Sequence, residues 1–137
     1  MTQTLQTETP EKAPENQGRT ADLAALDAEL NRRILAGEAL DAFDRFYAED
    51  VAMRENSGEP TVGKAANRRR EEEFFGSIET LHALELLASA AEGDVTFSEW
   101  VFDVTFEGGA RKRLEQATVR RWRDGRVVEE RFYYDPS

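Results

Sequence analysis

The chain contains no cysteine and a single histidine, His82, among its 137 residues. These counts exclude disulfide bonds, thiolate nucleophiles, cysteine-bound zinc and His-rich metal sites. A carboxylate-only Mg²⁺ site stays open, although no compact acidic motif suggests one. No apolar run approaches the roughly 18 residues that a membrane-spanning helix requires, and the N-terminus has no signal-peptide core. We therefore expect a cytoplasmic protein with no metal and no cofactor.

Positive charge is also scarce in this chain. Eighteen Lys and Arg residues face 28 Asp and Glu residues, which gives a formal net charge of −10. This balance argues against a nucleic-acid partner, which needs a basic face, and against adsorption to an anionic membrane. A hydrophobic content of 39% and the length fit one globular domain with a real core.

The N-terminal segment differs in composition from the rest of the chain. Residues 1–20 are rich in Thr, Glu, Gln and Pro and predict a disordered tail, whereas residues 21–137 predict the folded domain. A first helix is expected after Thr20 or Asp22, because leucines then recur at three- and four-residue steps. Gly37 is expected to end this helix.

Further elements follow from the apolar pattern. The run 68–73, three arginines followed by three glutamates, is interpreted as a solvated face of the third helix. Residues 78–90 suit either a helix or a strand, and their position before a strand meander favours the strand. The other predicted elements are two helices, 39–47 and 63–75, and a brief strand, 51–54.

Two dipeptides, Gly108-Gly109 and Asp124-Gly125, are typical of two-residue hairpin turns, which need positive φ. They predict three consecutive antiparallel strands within residues 95–134. Two-residue loops also set the register of these strands, with the following pairs opposite each other: Arg123–Arg126 and Glu107–Ala110.

This register distributes the side chains between two sheet faces, since side chains alternate along a strand. One face is predicted to carry five cross-strand rows: Val95–Trp122–Val127, Phe97–Arg120–Glu129, Glu99–Thr118–Arg131, Val101–Gln116–Tyr133 and Asp103–Leu114–Asp135. The other face is predicted to carry an apolar set: Trp100, Phe102, Val104, Phe106, Ala117, Val119, Val128, Phe132 and Tyr134. A β-bulge in any of these strands would move part of one set to the other.

Two stretches resemble the NTF2-like superfamily, specifically its SnoaL-like and ketosteroid-isomerase-like members. They are LAGEALDAFDRFYAEDVAMRENSGEPTVGK, residues 35–64, and RRWRDGRVVEERFYYD, residues 120–135. The resemblance implies an α+β, cone-shaped fold with three N-terminal helices packed on a curved antiparallel sheet and a small-molecule pocket between them. It does not choose an activity, because the superfamily includes isomerases, cyclases, hydrolases, dehydratases and non-catalytic binders.

Three positions can be compared with the isomerase roles. The resemblance places Glu55 where that enzyme has its general base, Thr118 where it has a proton-donating acid, and Leu30 where it has an oxyanion-stabilising Tyr. A carboxylate base is thus kept while both oxyanion donors are lost. Since oxyanion stabilisation is commonly the largest catalytic contribution, steroid isomerisation itself is not expected here.

The choice of pocket face rests on the resemblance. Composition alone would pack the more apolar face against the helices, but the resemblance makes Thr118 face the pocket. With this choice the apolar face is convex and exposed, and a two-fold homodimer would cover it. The expected contact residues of this dimer are Trp100, Phe102, Phe132 and Tyr134.

The predicted site contains Glu55 as catalytic base. In this hypothesis Arg131 and Tyr133, aided by Gln116, hold a carbonyl or carboxylate oxygen of the ligand. The alternative interpretation makes Glu99 and Arg131 a structural ion pair and leaves Glu55 in water. The complete predicted lining of the ligand pocket is Tyr47, Met53, His82, Glu99, Val101, Gln116, Thr118, Arg131 and Tyr133.

Two functions stay open at this stage. One is an isomerase, cyclase or lyase type of enzyme that acts on a small, partly apolar ligand. It predicts that Glu55 lies at the cavity with a raised pKa and that no Arg or Lys neutralises it. The other is a non-catalytic ligand-binding or dimeric accessory protein, which predicts polar groups that satisfy one another.

Overall fold

The computed structural model describes the backbone of residues 12–137 and the side chains of residues 18–137. Within this part, no helix is long and apolar enough to cross a membrane. Its elements follow in the order α1 (Lys12–Leu35), α2 (Ala39–Phe46), β1 (Tyr47–Glu55), β2 (Thr61–Val62), α3 (Lys64–Gly76), β3 (Ile78–Glu92), β4 (Val95–Phe106), β5 (Arg111–Arg123) and β6 (Arg126–Tyr134).

Helix α1 begins earlier than the sequence indicated. It starts at Lys12 and not near Thr20 or Asp22, so residues 12–20 belong to this helix. Residues 1–11 of the predicted tail lie outside the described residues. The helix ends at Leu35, and Gly37 follows with a φ of 84°, as expected of a glycine just past a helix end.

The remaining elements agree with the sequence in kind. The ambiguous segment after α3 is a strand, β3, and the brief strand predicted at 51–54 is part of the longer β1. The six strands form one sheet in the order β2-β1-β6-β5-β4-β3. Strands β1 and β6 run parallel while the other neighbours are antiparallel, so the sheet is mixed.

The helices cover one face of this sheet and form the core with it. Leu30 of α1 and Phe43 of α2 pack with Val51 of β1, Trp122 of β5 and Val127 of β6 in one buried cluster. Each fully buried side chain of this kind contributes about 1.5–3 kcal/mol through removal of its apolar surface from water. We call the helix-covered side the inner face and the opposite side the outer face.

The β4–β5 hairpin differs from the predicted register by one residue. Its loop has three residues between Phe106 and Ala110, whose N–H···O bond measures 2.8 Å, and not two residues between Glu107 and Ala110. Gly108 and Gly109 both have positive φ, as predicted. The extra residue changes the pairing parity, so Trp100 lies opposite Gln116.

A β-bulge shifts the register of the β5–β6 pair by one residue a short distance from its turn. The Asp124-Gly125 turn has two residues as predicted, and Arg123 faces Arg126. The register then shifts after Trp122, which pairs with Val127, because Val128 is an extra residue on β6. Beyond the bulge the observed pairs are Arg121–Glu129, Arg120–Glu130, Val119–Arg131, Thr118–Phe132, Ala117–Tyr133 and Gln116–Tyr134.

These two one-residue shifts correct the predicted faces. On β5, Gln116 and Thr118 keep the inner face as expected. On β4 and β6, the side chains predicted for the pocket lie on the outer face, and side chains predicted for the convex side lie on the inner face. The latter are Trp100, Phe102, Phe132 and Tyr134.

Candidate functional site

A cavity lies between the helices and the inner face of the sheet. It consists of two adjoining compartments, and both lie on the inner face of the sheet. The smaller has a volume of about 70 Å³ and is called the inner compartment; the larger has a volume of about 130 Å³ and is called the outer compartment. Both are small compared with the roughly 300–1,000 Å³ of pockets that hold drug-sized ligands. The residues that line both compartments are Glu71, Phe75, Phe102, Gln116 and Phe132.

The inner compartment ends at a buried ionic network centred on Arg120. Arg120 and Glu130 are each only 3% exposed. The Nε of Arg120 donates to Oε2 of Glu130 at 2.7 Å, and its Nη1 donates to Oδ1 of Asp27 at 2.7 Å. The Tyr47 hydroxyl donates to the same Oε2 of Glu130 at 2.6 Å. Strand β5, helix α1, strand β6 and strand β1 each supply one member of this network.

Further hydrogen bonds fix the α1 side of the network. Asn31 accepts a bond of 2.7 Å from Nη1 of Arg120 and donates one of 3.1 Å to Asp27. Thr96 donates to Asp27 at 2.9 Å and accepts a bond from the Trp122 indole at 2.8 Å. A buried carboxylate that is held by several donors keeps one orientation.

Two side-chain atoms of the network form no hydrogen bond within the part of the chain that the structure describes. Among residues 18–137, neither Nη2 of Arg120 nor Oε1 of Glu130 has a hydrogen-bond partner. In that range, Oδ1 of Asn67 is the one side-chain N or O atom that is both shut off from solvent and without a partner. Nη2 of Arg120 and Oε1 of Glu130 have no partner either, so they must still be accessible to solvent. Both residues line the inner compartment, which therefore offers one cationic donor and one carboxylate acceptor.

Burial and charge fix the protonation of two members of the network. Burial, together with the negative charge of Glu130, raises the pKa of Tyr47 well above its usual value, so its hydroxyl remains a donor. Burial alone would lower the pKa of Arg120, but its electrostatic interactions with Tyr47, Glu130 and Asp27 together outweigh burial and raise it. Arg120 thus stays a cation.

Glu71 lies where the two compartments meet. Asn67, one turn earlier on α3 and fully buried, donates to the backbone oxygens of Thr61 and Gly63 at 2.9 Å each, which fixes the start of the helix. Burial, and next the negative charge of Glu130, raises the pKa of Glu71 from its usual 4.5 to about 7. Its carboxyl makes no hydrogen bond to any residue in the range 18–137.

Glu55, the predicted base, lies at the outer compartment but is neutralised. Its carboxylate accepts a hydrogen bond from the Tyr134 hydroxyl and another, of 2.9 Å, from Nη2 of Arg70. The prediction that no Arg or Lys pairs with Glu55 is therefore wrong. Burial, and next the hydrogen bond to Glu55, raises the pKa of Tyr134 to about 12.

Three predicted pocket residues lie at the cavity, and two others do not. Tyr47, Gln116 and Thr118 line the inner compartment as expected. Met53 is buried in the hydrophobic core instead, because β1 directs it beneath the helices. His82 is exposed on β3, where its Nε2 is 2.8 Å from Oγ1 of Thr105.

Four predicted pocket residues belong to the outer face, which is a correction. The three-residue loop places Glu99 and Val101 of β4 on this face. The bulge does the same for Arg131 and Tyr133 of β6. The predicted Glu99–Arg131 ion pair is likewise not formed, since Glu99 lies opposite Ala117 and Arg131 opposite Val119.

Sequence reasoning missed Glu71, Arg120 and Glu130 as site residues. Glu71 was read as part of a solvated charge block, and Arg120 was paired with Glu129. A signal for Glu71 was present: residues 71, 74 and 75 follow an i, i+3, i+4 pattern, which puts its carboxyl on the helix face that carries Phe74 and Phe75.

Across the described side chains, no group of three or more His, Asp or Glu residues could hold a metal ion.

Comparisons with known proteins agree with this architecture. The family described as SnoaL-like domain matches residues 28–130. A search of curated proteins gave no match. Among solved structures, one from Mesorhizobium loti that is named as a SnoaL-like polyketide cyclase is 24% identical and has a TM-score of 0.75, with 82% of this chain and 98% of that chain covered.

Two further solved structures carry different names. An NTF2-like protein of unknown function from Burkholderia pseudomallei is 17% identical with a TM-score of 0.70, covering 82% of this chain and 89% of that chain. An LEH-like epoxide hydrolase from M. tuberculosis is 20% identical with a TM-score of 0.66, covering 89% and 86%. These likenesses confirm the predicted α+β, NTF2-like fold, and by its family match the chain belongs to the SnoaL-like domain family.

Proposed function

We propose that this protein is an enzyme that moves a proton on a small, partly apolar molecule in the cavity. This step is shared by isomerases, cyclases and lyases. The observation that carries the proposal is Glu71: a carboxyl at the junction of the two compartments, without a hydrogen-bond partner among the described residues and with a pKa of about 7. A general base works best when its pKa is near the working pH.

The environments of Glu71 and Glu130 give the two carboxylates different tasks. Glu130 is held by Arg120 and Tyr47 as a hydrogen-bond acceptor. Among the side chains that the structure describes, Glu71 has no such partner, which leaves its carboxyl able to take up or release a proton. Carboxyl groups in unlike surroundings are a common basis for acid–base assignments.

A ligand oxygen has a donor in the same compartment. Glu71 would take a proton from a carbon next to a carbonyl group, and the electron pair would move to the carbonyl oxygen. That oxygen would accept a hydrogen bond from Nη2 of Arg120. Glu71 would return the proton to the same carbon or, where a carbon–carbon double bond is conjugated with the enolate, to the far carbon of that double bond. A preorganised donor at a developing oxyanion commonly lowers the barrier by about 3–4 kcal/mol.

The experiment is solvent-deuterium exchange of a small cyclic ketone. We expect the wild type to accelerate loss of the α-hydrogen signal of cyclohexanone in D₂O, followed by proton NMR. Glu71→Gln is expected to lower the enzyme-catalysed rate by about 10²-fold, since the amide cannot accept the proton. Glu73→Gln is the matched control, because Glu73 is exposed on the same helix, and its rate should equal that of the wild type.

The alternative of a non-catalytic binder is favoured by one observation: most of the ionic groups around the cavity already satisfy one another, as in the pairs Glu55–Arg70 and Glu130–Arg120. Saturation-transfer NMR separates the two functions. Binding of cyclic ketones with exchange no faster than in buffer would support the binder and contradict the enzyme.

We also propose that a second copy covers part of the outer face. Phe97 is 41% exposed there, and a shallow apolar surface surrounds it. We call this surface the outer apolar patch, lined by Ala88, Ala90, Phe97, Ala117 and Val119. It replaces the predicted interface of Trp100, Phe102, Phe132 and Tyr134, which lie inside the cavity. Exposed apolar patches mark contact sites, and two-fold dimers are the commonest way to cover them.

Sedimentation velocity checks the dimer. We expect the wild type to sediment as a dimer and Phe97→Glu as a monomer, because a carboxylate in the middle of the patch would lose its hydration on association. Leu35→Glu is a suitable control, since Leu35 is similarly exposed at the end of α1. A monomeric wild type, or a dimer that survives Phe97→Glu, would contradict the interface.

A further inference from the structure

A second cleft lies on the outer face, where β1, β6 and β5 run side by side. Its volume is about 310 Å³, larger than either compartment of the cavity. Three arginines line it, Arg54, Arg121 and Arg131, with Tyr133 and Pro60 at their side. We propose that this outer cleft binds a small molecule through an oxyanion, either a phosphate or a carboxylate group.

The strand register places like charges against each other in this cleft. Arg54 of β1 lies directly opposite Arg131 of β6, and the next row places Arg121 opposite Glu129. Like charges directly opposite each other in a sheet are destabilising. The two adjacent arginines therefore concentrate positive charge in a chain of net charge −10, and this charge does not stabilise the sheet.

The described residues leave this positive charge largely unbalanced. Among side chains 18–137, Arg54 has no hydrogen bond and no ion pair, and Arg131 uses only its Nε, which donates to the Asn56 carbonyl at 2.7 Å. Arg121 approaches Glu129 at 3.7 Å, but both side chains are more than half exposed, so water screens this pair. Two glutamates line the cleft, but the carboxylate of Glu130 is bound by Arg120 and Tyr47 on the inner face. Among the described side chains, Glu129 is thus the one carboxylate left to balance the three guanidinium groups.

The arrangement suits an oxyanion in geometry as well as in charge. The guanidinium of Arg131 lies over the Tyr133 ring, 4.5 Å from its centroid, which restricts its orientation. A guanidinium held in this way presents parallel N–H groups that match the two oxygens of a carboxylate or phosphate. The cleft volume is in the range of small-molecule sites.

This cleft is independent of the proposed proton transfer. It opens on the outer face, whereas Glu71 and Arg120 lie on the inner one. The outer apolar patch is its neighbour, since Val119 lines both. Carboxylates of a second copy are therefore the competing occupant, and the experiment has to distinguish them from a small molecule.

The test is thermal unfolding with two probes, inorganic phosphate and benzoate, each titrated against chloride at constant ionic strength. We expect Tm of the wild type to rise with at least one probe, since binding to the folded state alone stabilises it. In Arg54→Gln and Arg131→Gln the rise should shift to at least tenfold higher probe concentration. Without probe, Tm of Arg54→Gln should equal or exceed that of the wild type, because a repulsion is removed.

Arg69→Gln serves as the control, because Arg69 is exposed on α3 and has no ion pair among the described residues; it should respond to the probes as the wild type does. Equal responses of the wild type and Arg54→Gln would overturn the proposal, as would a wild type that responds to neither probe. Weaker self-association of Arg54→Gln in sedimentation, with an unchanged phosphate response, would assign the arginines to a second copy and also overturn it.

Discussion

Replacing Arg120 by methionine is expected to lower the free energy of unfolding by about 3–5 kcal/mol, as measured by urea denaturation at pH 7. Methionine fills a similar volume but leaves the carboxylates of Asp27 and Glu130 buried without a counter-ion. In the wild type each of them receives a hydrogen bond of 2.7 Å from the guanidinium. Removing one partner of a buried ion pair costs more than the pair itself contributes, because the remaining charge stays out of water.

Arg121→Met is the matched control for this change. Arg121 is the next residue on β5 but lies on the outer face, with an exposed ion pair of 3.7 Å, so its loss should cost no more than about 1 kcal/mol. Adding Glu130→Gln to the Arg120→Met variant should recover part of the loss, since the amide has no charge to desolvate. A cost below about 1 kcal/mol for Arg120→Met would mean that water reaches these carboxylates.

Glu71→Gln is expected to stabilise the protein above pH 7 by about 3 kcal/mol, since each pKa unit corresponds to about 1.4 kcal/mol. The pKa of Glu71 in the folded state, about 7, lies above its usual 4.5. Below pH 4.5 this carboxyl is protonated in both states, and the two proteins should be equally stable. Between the two values only the unfolded state ionises, so wild-type stability falls as pH rises, and above pH 7 the loss is complete.

Urea denaturation at pH 4 and pH 8.5 measures this difference. The gain of Glu71→Gln over the wild type should be near zero at the lower pH and largest at the higher one. Glu73→Gln, which changes an exposed carboxyl on the same helix, should show no such trend. A gain that is the same at both values would show that Glu71 is not desolvated in the folded state.

Stability and activity should therefore move in opposite directions at position 71. The same substitution that relieves a desolvated carboxyl is the one expected to slow ketone exchange. Residues at a cavity that lower the stability of the folded state are typical of functional sites. This contrast separates a catalytic Glu71 from one that only fills space.

The sequence located most elements of the fold because these elements have local signals. Gly37 ends α1, and Asp124 and Gly125 both adopt the positive φ that their two-residue turn requires. Patterning of apolar residues located α2, α3 and the four long strands to within a few residues. The parallel pairing of β1 with β6 has no such local signature, since it joins segments far apart in the chain.

The site was harder to predict because side-chain direction depends on single residues. Gly108-Gly109 fits loops of two or three residues, and only the longer one puts Trp100 opposite Gln116. Composition favoured the inner face for Trp100, while the resemblance favoured it for Thr118. Trp100 and Thr118 both line the cavity, whereas Ala117 and Val119 of the apolar set lie on the outer face. Each argument was therefore right for part of its set, and the assumed loop length made the two look exclusive.

The bulge at Val128 had a similar effect on β6. Valine at this position has no feature that distinguishes it from a regular strand residue, yet it turns Glu130 and Phe132 inward and Arg131 outward. Arg120 consequently pairs with Glu130 and not with Glu129. The pairing of Arg120 with Glu130 in the ionic network thus depends on Val128, the residue of β6 that has no partner on β5.

Carbon-13 NMR of the glutamate carboxyl groups, recorded from pH 4 to pH 9, tests the central claim most directly. The signal absent from Glu71→Gln identifies Glu71, and the exposed Glu73 supplies an internal reference. A midpoint near 7 is the result expected of a carboxyl held in a partly dry cavity beside Glu130. A midpoint near 4.5 would mean an ordinary hydrated side chain, and the assignment of Glu71 as the proton-transferring group would then be wrong.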